Sequence, residues 1–125
     1  MLAMVNLFSG DIEQLGDFYG GVLGLEEMTA LRSPIFRAFE GGGCMLGIND
    51  RKAFDLLSLE DGLGGQGVRT MLTFQVASRE AVDEAVKRTI EAGGRLAHAP
   101  YDAGYGWFAV LLDPQGNALR VGHRA

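Results

Sequence analysis

One repeated pattern limits the folds that are available to this chain. A short apolar strand leading into a capped amphipathic helix begins at Met4 and again, 67 positions later, at Met71. Each helix is followed by three further strand candidates, which are separated by turns rich in glycine or proline. A doubled unit fixes the architecture more firmly than any single element does. The pattern therefore predicts an α+β protein with two βαβββ modules.

The ends of the predicted elements follow from cap and turn signals. Asp11 and Ser78 are suitable N-cap residues, and Gln14 lies where it would complete a capping box with Asp11. Strands are predicted at 4–8, 27–32, 36–40, 44–48, 71–76, 96–99, 107–112 and 118–122. We expect a single domain, 1–125, with module one at about 3–49, a linker at 50–67 and module two at about 68–123.

Composition argues against several classes of function. The net charge is −5 and the chain has no Lys/Arg cluster, which argues against nucleic-acid binding. No apolar run approaches the roughly 18 residues of a membrane span. The single cysteine, Cys44, allows no intramolecular disulfide, fits a reducing cytoplasm and is expected to be a small apolar side chain. The G-x-G-x-x-G stretch at 62–67 follows a loop and precedes a strand, so we interpret it as linker rather than as a nucleotide site.

The first helix and the last turn carry a family resemblance. The segments D-I-E at 11–13, F-Y at 18–19, V-L-G-L at 22–25 and D-P-Q-G-N at 113–117, together with the two modules, resemble the vicinal oxygen chelate superfamily. That superfamily includes glyoxalase I, the bleomycin resistance proteins and the extradiol ring-cleaving dioxygenases. The resemblance covers essentially the whole chain. It implies a curved, cup-shaped mixed sheet, the glyoxalase/bleomycin resistance/dioxygenase fold, and a homodimer that covers open sheet edges.

The same resemblance implies four metal-ligand positions, where metal-dependent members carry His or Glu. In this sequence these positions fall on Met4, Gly47, Met71 and Arg120. A thioether is a soft ligand, glycine has no side chain, and a guanidinium stays protonated and repels cations. We therefore expect no metal and no cofactor in the cup.

Strand alternation predicts which side chains line the cup. Apolar residues such as Leu72 and Val121 would pack under the helices, while their neighbours form a mixed face of the kind that small-molecule pockets have. Aromatic and anionic organic molecules are the candidate ligands. The predicted lining residues are Met4, Asn6, Phe8, Gly47, Met71, Thr73, Gln75, His98, Tyr105, Trp107 and Arg120.

Three points about these residues stay open at the level of sequence. His98 lies on a strand at the expected cup mouth, and no catalytic residue can be assigned. Tyr105 and Trp107 could stack on a flat ligand or form core or dimer contacts. Arg120 needs a partner, which could be a protein carboxylate, ordered water or an anionic group of the ligand.

The favoured function is that of a metal-free small-molecule binding protein of the bleomycin-resistance type, located in the cytoplasm. One alternative is a divergent lyase or dioxygenase-type enzyme of the same superfamily. The other alternative is a structural or regulatory interaction module. The sequence identifies neither the ligand nor a reaction.

Overall fold

The computed structural model describes residues 1–124, which form two compact units. Unit one comprises Met1–Gln66, and unit two begins at Gly67. The boundary falls at the end of the predicted linker. The last residue of the predicted domain lies outside the described residues.

Unit one is a three-stranded mixed sheet with one main helix. Its strand order is β1–β3–β2, with β3 parallel to β1 and antiparallel to β2. The elements are β1 (Met4–Ser9), α1 (Ile12–Gly21), a 3-10 turn (Thr29–Leu31), β2 (Phe36–Glu40), β3 (Met45–Asp50) and the one-turn helix α2 (Ala53–Leu56).

The strand predicted at 27–32 is wrong over most of its length. Glu27 forms an isolated bridge to Phe39, and the Met28 amide donates to the Ala38 carbonyl at 2.8 Å. The amides of Leu31 and Arg32 then donate within the 3-10 turn, at 3.0 and 3.1 Å. Because these amides are satisfied locally, the segment leaves β2 after a single bridge.

Unit two is a four-stranded mixed sheet with one long helix. The strand order is β4–β7–β6–β5, in which β4 and β7 are parallel and the other neighbours antiparallel. The exposed edge strand β5 is longer than predicted and has two register shifts. The elements are β4 (Met71–Gln75), α3 (Arg79–Glu91), β5 (Arg95–Asp102), β6 (Trp107–Leu112) and β7 (Ala118–His123).

Both predicted helix caps are confirmed. The Asp11 carboxylate accepts a hydrogen bond from the Gln14 amide at 3.0 Å, and the Ser78 hydroxyl accepts one from the Ala81 amide at 3.1 Å. These bonds satisfy amides that have no partner inside the helix, so each helix starts at a defined residue after its strand.

The core of each unit lies between its helix and one side of its sheet. In α3 the buried positions include Val82, Ala85 and Thr89, whereas Ile90 is exposed. The Gly94 amide donates to the Thr89 carbonyl at 2.8 Å, and a Cβ atom at Gly94 would come within 2.6 Å of the Thr89 methyl group. Among residues 1–124, none of the helices is long and apolar enough to cross a membrane. Other buried residues on the helix side of the two sheets include Leu15, Phe18, Tyr19, Phe39, Ile48, Ala109, Leu111, Leu119 and Val121.

Candidate functional site

Each sheet packs one side against its main helix, α1 in unit one and α3 in unit two. In unit two the indole nitrogen of Trp107 donates to Asp83 of α3 at 3.1 Å, so the Trp107 side of β6 faces the helix. Side chains alternate along a strand, and directly opposed residues of neighbouring strands share a face. We call the side away from α3 the Arg120 face; it carries Met71, Thr73, Gln75, Phe108, Val110 and Arg120.

The guanidinium of Arg120 is held in a defined position. Its Nε donates to the Thr73 hydroxyl at 3.2 Å, and its Nη1 donates to the Tyr105 hydroxyl at 2.9 Å. Its central carbon lies 4.5 Å from the centre of the Phe108 ring. Two hydrogen bonds and a cation–π contact therefore orient this charge.

The register of the sheet explains this cluster. Thr73 is the direct partner of Arg120 on β4, and Phe108 is the partner of Gly122 on β6. A Cβ atom at Gly122 would collide with the Phe108 ring, so the glycine lets the ring lie flat beside Arg120. Tyr105 comes from the turn between β5 and β6, which the Ala103 amide closes by donating to the Gly106 carbonyl at 2.9 Å.

Arg120 has no carboxylate partner within the part of the chain that the structure describes, residues 1–124. Among residues 1–124 none of the ion pairs includes it, although the chain carries a net charge of −5. A guanidinium has five N–H donors, and the hydroxyls of Thr73 and Tyr105 take two of them. Three donors are left for water or for a ligand. Of the three partners that the sequence left open for Arg120, a carboxylate of residues 1–124 is therefore excluded.

The corresponding side of unit one carries no charge at its centre. Arg37 donates to the backbone carbonyls of α1, so its side of β2 faces the helix. We call the opposite side the Asn6 face; it carries Met4, Asn6, Phe8, Phe36, Gly47 and Asn49.

An amide pair lies on the Asn6 face. The Asn49 side chain donates to the Asn6 carbonyl oxygen Oδ1 at 2.9 Å and to the Leu7 backbone carbonyl at 3.2 Å. A Cβ atom at Gly47 would come within 2.6 Å of Asn6 Oδ1 and 2.9 Å of Met4 Sδ. The structure thus brings three predicted lining residues into contact, and Phe8 lies beside them with its ring stacked on Phe54.

The four family metal positions do not fit a divalent cation. The space next to Gly47 is filled by the side chains of Met4 and Asn6, and Met71 offers a thioether only. At the fourth position Arg120 presents a charge of the same sign as a metal ion. Among residues 1–124 the structure has no group of three or more His, Cys, Asp or Glu side chains that could hold a metal.

The other residues predicted to line a site in unit two divide between the two sides of the sheet. Met71 and Gln75 are exposed on the Arg120 face. His98 of β5 pairs with Val110 of β6, and Val110 pairs with Arg120 of β7. His98 therefore lies at the edge of the Arg120 face. Its ring centre is 4.3 Å from that of Tyr101.

The prediction that Trp107 lines the cup is wrong. Its indole bonds Asp83 of α3, and the guanidinium of Arg79 lies 4.8 Å above its ring. The glycines on either side of Tyr105 obscure strand alternation, which is why sequence could not assign the side on which Trp107 lies. Trp107 therefore belongs to the helix contact.

Sequence reasoning missed a buried arginine. Arg37 is 4% exposed and forms a double hydrogen bond with the Glu27 carboxylate, at 3.1 and 2.7 Å, and a third bond with Asp17 at 3.1 Å. These bonds raise the pKa of Arg37, and the bonds from Arg37 lower the pKa of Glu27. The available signal was Gly16 in the middle of α1, where a Cβ atom would collide with the guanidinium.

Three further sequence features have no place in either face. The glycine-rich stretch at 62–67 contains a turn closed between Gly62 and Gly65, and no helix follows it, so it lacks the context of a dinucleotide site. Cys44 is half-buried, and its thiol contacts the adjacent carbonyl of Met45 at 3.5 Å. The ring of His123 lies against the carbonyl of Val76 at 3.0 Å.

Comparison with known proteins identifies relatives over the whole chain. Residues 4–122 match the family model of a glyoxalase-like domain. A glyoxalase/bleomycin resistance protein/dioxygenase family enzyme from Burkholderia phytofirmans PsJN is 38% identical, over 98% of each chain, with a TM-score of 0.91. The comparison with curated proteins finds no match.

More distant solved structures share the fold alone. A glyoxalase-related enzyme from Fulvimarina pelagi is 20% identical over 99% of this chain and 88% of that chain, with a TM-score of 0.85. A lactoylglutathione lyase from Agrobacterium tumefaciens is 23% identical over 98% of this chain and 92% of that chain, with a TM-score of 0.70. With the family match and the α+β architecture, these comparisons show that the chain belongs to the glyoxalase-like domain family of the vicinal oxygen chelate superfamily.

Proposed function

We propose that this protein binds a small aromatic anion, without a metal, on the Arg120 face. The observation that carries the proposal is the environment of Arg120. Its guanidinium is oriented by Thr73, Tyr105 and Phe108 and is paired with no carboxylate of residues 1–124. An oriented, permanently charged planar group with three N–H donors to spare is suited to a carboxylate.

The neighbouring groups support the same ligand chemistry. The hydroxyls of Thr73 and Tyr105 accept from Arg120, so each keeps its own proton and can donate it to a bound anion. Tyr105 is 51% exposed. Its ring centre lies 5.0 Å from that of Phe108 and 5.8 Å from the guanidinium carbon of Arg124, and its exposed part offers a surface to an aromatic ligand. The oriented guanidinium of Arg120 and the partly exposed ring of Tyr105 are therefore neighbours on the protein surface.

Benzoate is a suitable probe because it carries one carboxylate and one ring. We expect benzoate to shift the NMR signals of Arg120 and Tyr105 in the wild-type protein. Arg120→Met should weaken its binding by about 1.5–3 kcal/mol, or roughly 10- to 150-fold, because a hydrogen-bonded charge pair is lost. Arg120→Lys should lose most of this affinity too, since an ammonium lacks the planar fork.

Arg69→Met is the matched control, because Arg69 is exposed in the loop before β4 and its loss changes the net charge equally. The control should bind benzoate as the wild type does. Equal binding by wild type and Arg120→Met would overturn the assignment of the anion to Arg120. Equal weakening in both variants would show that only net charge matters.

The metal-free part of the proposal has its own test. It is supported by the donor set at Met4, Gly47, Met71 and Arg120, which suits no hard cation. We expect elemental analysis of untagged protein to find no stoichiometric divalent metal. About one zinc, iron, nickel or manganese ion per chain would overturn this part and favour the divergent lyase or dioxygenase-type enzyme.

We also propose that the protein is a cytoplasmic homodimer. The strand β5 is exposed at the edge of its sheet, and such edges are generally covered or protected. The single cysteine fits a reducing compartment. Light scattering at micromolar concentration should give the mass of two chains, and the mass of one chain would contradict the dimer.

A further inference from the structure

We propose that the anion site selects an aromatic dicarboxylate, whose second carboxylate is bound by Arg124. This inference rests on the proposed function and adds to it the charge of the ligand and one further binding residue. It follows from the contacts of Arg120 and Arg124 with one tyrosine side chain, and from the absence of acidic residues on the described strands of the Arg120 face.

Arg124 directly follows β7 and lies four positions after Arg120. An even spacing keeps two side chains on the same side of an extended chain. Both arginines contact Tyr105. The Nη1 of Arg120 donates to the Tyr105 hydroxyl at 2.9 Å, and the guanidinium carbon of Arg124 lies 5.8 Å from the centre of the Tyr105 ring. The phenol group therefore lies between two cationic side chains.

The backbone brings the turn of Tyr105 close to Arg124. A Cβ atom at Gly106 would come within 2.6 Å of the His123 carbonyl oxygen and 3.1 Å of the Arg124 Cα atom. A residue without a side chain lets the turn approach the end of β7 this closely. Tyr105 and Arg124 are thus neighbours because of a close backbone contact, and both remain exposed to a ligand.

Both guanidinium groups are free of protein carboxylates within residues 1–124. Neither Arg120 nor Arg124 takes part in an ion pair there. In the four described strands of unit two the one acidic residue is Asp102, which pairs with Trp107 on the helix side. The strand residues of the Arg120 face are therefore neutral or basic, although the whole chain has a net charge of −5. No like charge on these strands repels a second carboxylate.

The spacing of the two cations suits two carboxylates on one benzene ring. Since both guanidinium groups contact Tyr105, their separation is limited by the size of one phenol group and by the two contacts. A benzene dicarboxylate likewise has one ring between its charged groups. One carboxylate can accept from the free N–H groups of Arg120 while the other accepts from Arg124. A monocarboxylate brings one negative charge to the same two cations.

Isophthalate tests the inference, because it is benzoate with a second carboxylate at the meta position. We expect NMR titration of the wild-type chain at neutral pH and low ionic strength to give isophthalate an affinity about 5-fold higher than that of benzoate. Monomethyl isophthalate is the matched ligand, since it keeps the substituent but has a single charge. It should lack this gain in affinity.

Arg124→Met should remove the gain, so that the ratio of isophthalate affinity to benzoate affinity falls to about one. Lys87→Met is the matched control, because it removes one positive charge from an exposed position of α3, on the other side of the sheet. The control should keep the wild-type ratio.

Three results would overturn the inference. The first is equal affinity of the wild type for isophthalate and its monomethyl ester, which would mean that the second carboxylate contributes nothing. The second is a folded Arg124→Met chain that keeps the wild-type ratio. The third is an equal fall of the ratio in Lys87→Met, which would assign the gain to net charge. Failure of the proposed function is distinct, because it appears as benzoate binding that Arg120→Met does not weaken.

Discussion

Both units carry an arginine in the sheet, and the two arginines have opposite surroundings. Arg37 of unit one faces its helix, and its side chain is 5% exposed among the carboxylates of Glu27 and Asp17. Arg120 of unit two lies on the side away from its helix and contacts hydroxyls and a ring instead. The same side chain is thus held by carboxylates in unit one and, among residues 1–124, by two hydroxyls and a ring in unit two. The proposed anion site rests on this difference.

The two faces also differ at matched positions. Asn6 pairs with Gly47 across β1 and β3, and Thr73 pairs with Arg120 across β4 and β7. In unit one the amide extends over the empty glycine position; in unit two the guanidinium extends over the small threonine. Equivalent strand positions thus carry neutral groups in unit one and the cation of Arg120 in unit two.

The two arginines, Arg37 and Arg120, are expected to differ most in how much they contribute to the free energy of unfolding. Arg37→Met should lower the free energy of unfolding by about 3–5 kcal/mol, because it leaves the Glu27 carboxylate poorly solvated and without its main partner. Urea denaturation measures this loss. The control is Arg32→Met, which removes a side chain that is 41% exposed and should cost about 1 kcal/mol or less. Equal losses in the two variants would contradict a structural role special to Arg37.

A second effect is acid sensitivity of the same ion-pair network. Arg37 holds the pKa of Glu27 below its ordinary value of 4.5, so the unfolded chain binds a proton at this site before the folded chain does. Stability that Glu27 contributes at neutral pH is therefore lost as the pH falls through 4.5 towards the lowered folded value. Denaturation at about pH 7 and about pH 3 should show a smaller loss on acidification in Glu27→Gln than in the wild type.

The exposed Glu60→Gln is the control for that comparison. It should lose as much stability on acidification as the wild type does. If Glu27→Gln and Glu60→Gln both behave like the wild type, the Arg37–Glu27 pair is not the source of acid sensitivity.

Smaller and similar effects are expected at the two helix caps, where the units are alike. Asp11→Ala and Ser78→Ala each remove one side-chain acceptor of a helix amide. Each substitution should cost about 1 kcal/mol in the free energy of unfolding. An unchanged urea midpoint in either variant would show that its cap bond contributes nothing in solution.

The smallest change in stability is expected at Arg120. Arg120→Met removes two hydrogen bonds to hydroxyls and a contact with Phe108, none of them to a buried charge. Its free energy of unfolding should fall by about 1 kcal/mol or less while benzoate binding weakens. A loss as large as that of Arg37→Met would show that Arg120 is structural too.

Local signals were enough to predict much of the fold. The segments 36–40 and 107–112 are strands with the predicted bounds, because turn residues flank both. The predicted strand at 44–48 is in fact Met45–Asp50, since Asn49 and Asp50, which look like turn residues, continue pairing with β1. That extension places Asn49 on the Asn6 face, which sequence could not anticipate.

The contacts around the candidate sites depend on register between distant strands. Thr73 and Arg120 are 47 residues apart, and nothing in the sequence between them records that they are partners. Phe108 was overlooked because the side of β6 was undefined after Gly106, and Arg37 because an arginine within a short apolar strand suggests an exposed position. The neighbours of these residues are set by strand pairing across the sheet, which composition does not encode.

Tyr105 supplies a hydroxyl to Arg120 from a turn, whereas Arg120 itself belongs to the strand ladder. Turns accept exchanges and insertions that strands do not, since few packed contacts depend on them. Over evolutionary time the cation can therefore be inherited with the sheet while its companion in the turn is replaced. Two relatives with the same ladder could in this way come to prefer different ligands without any change in their cores.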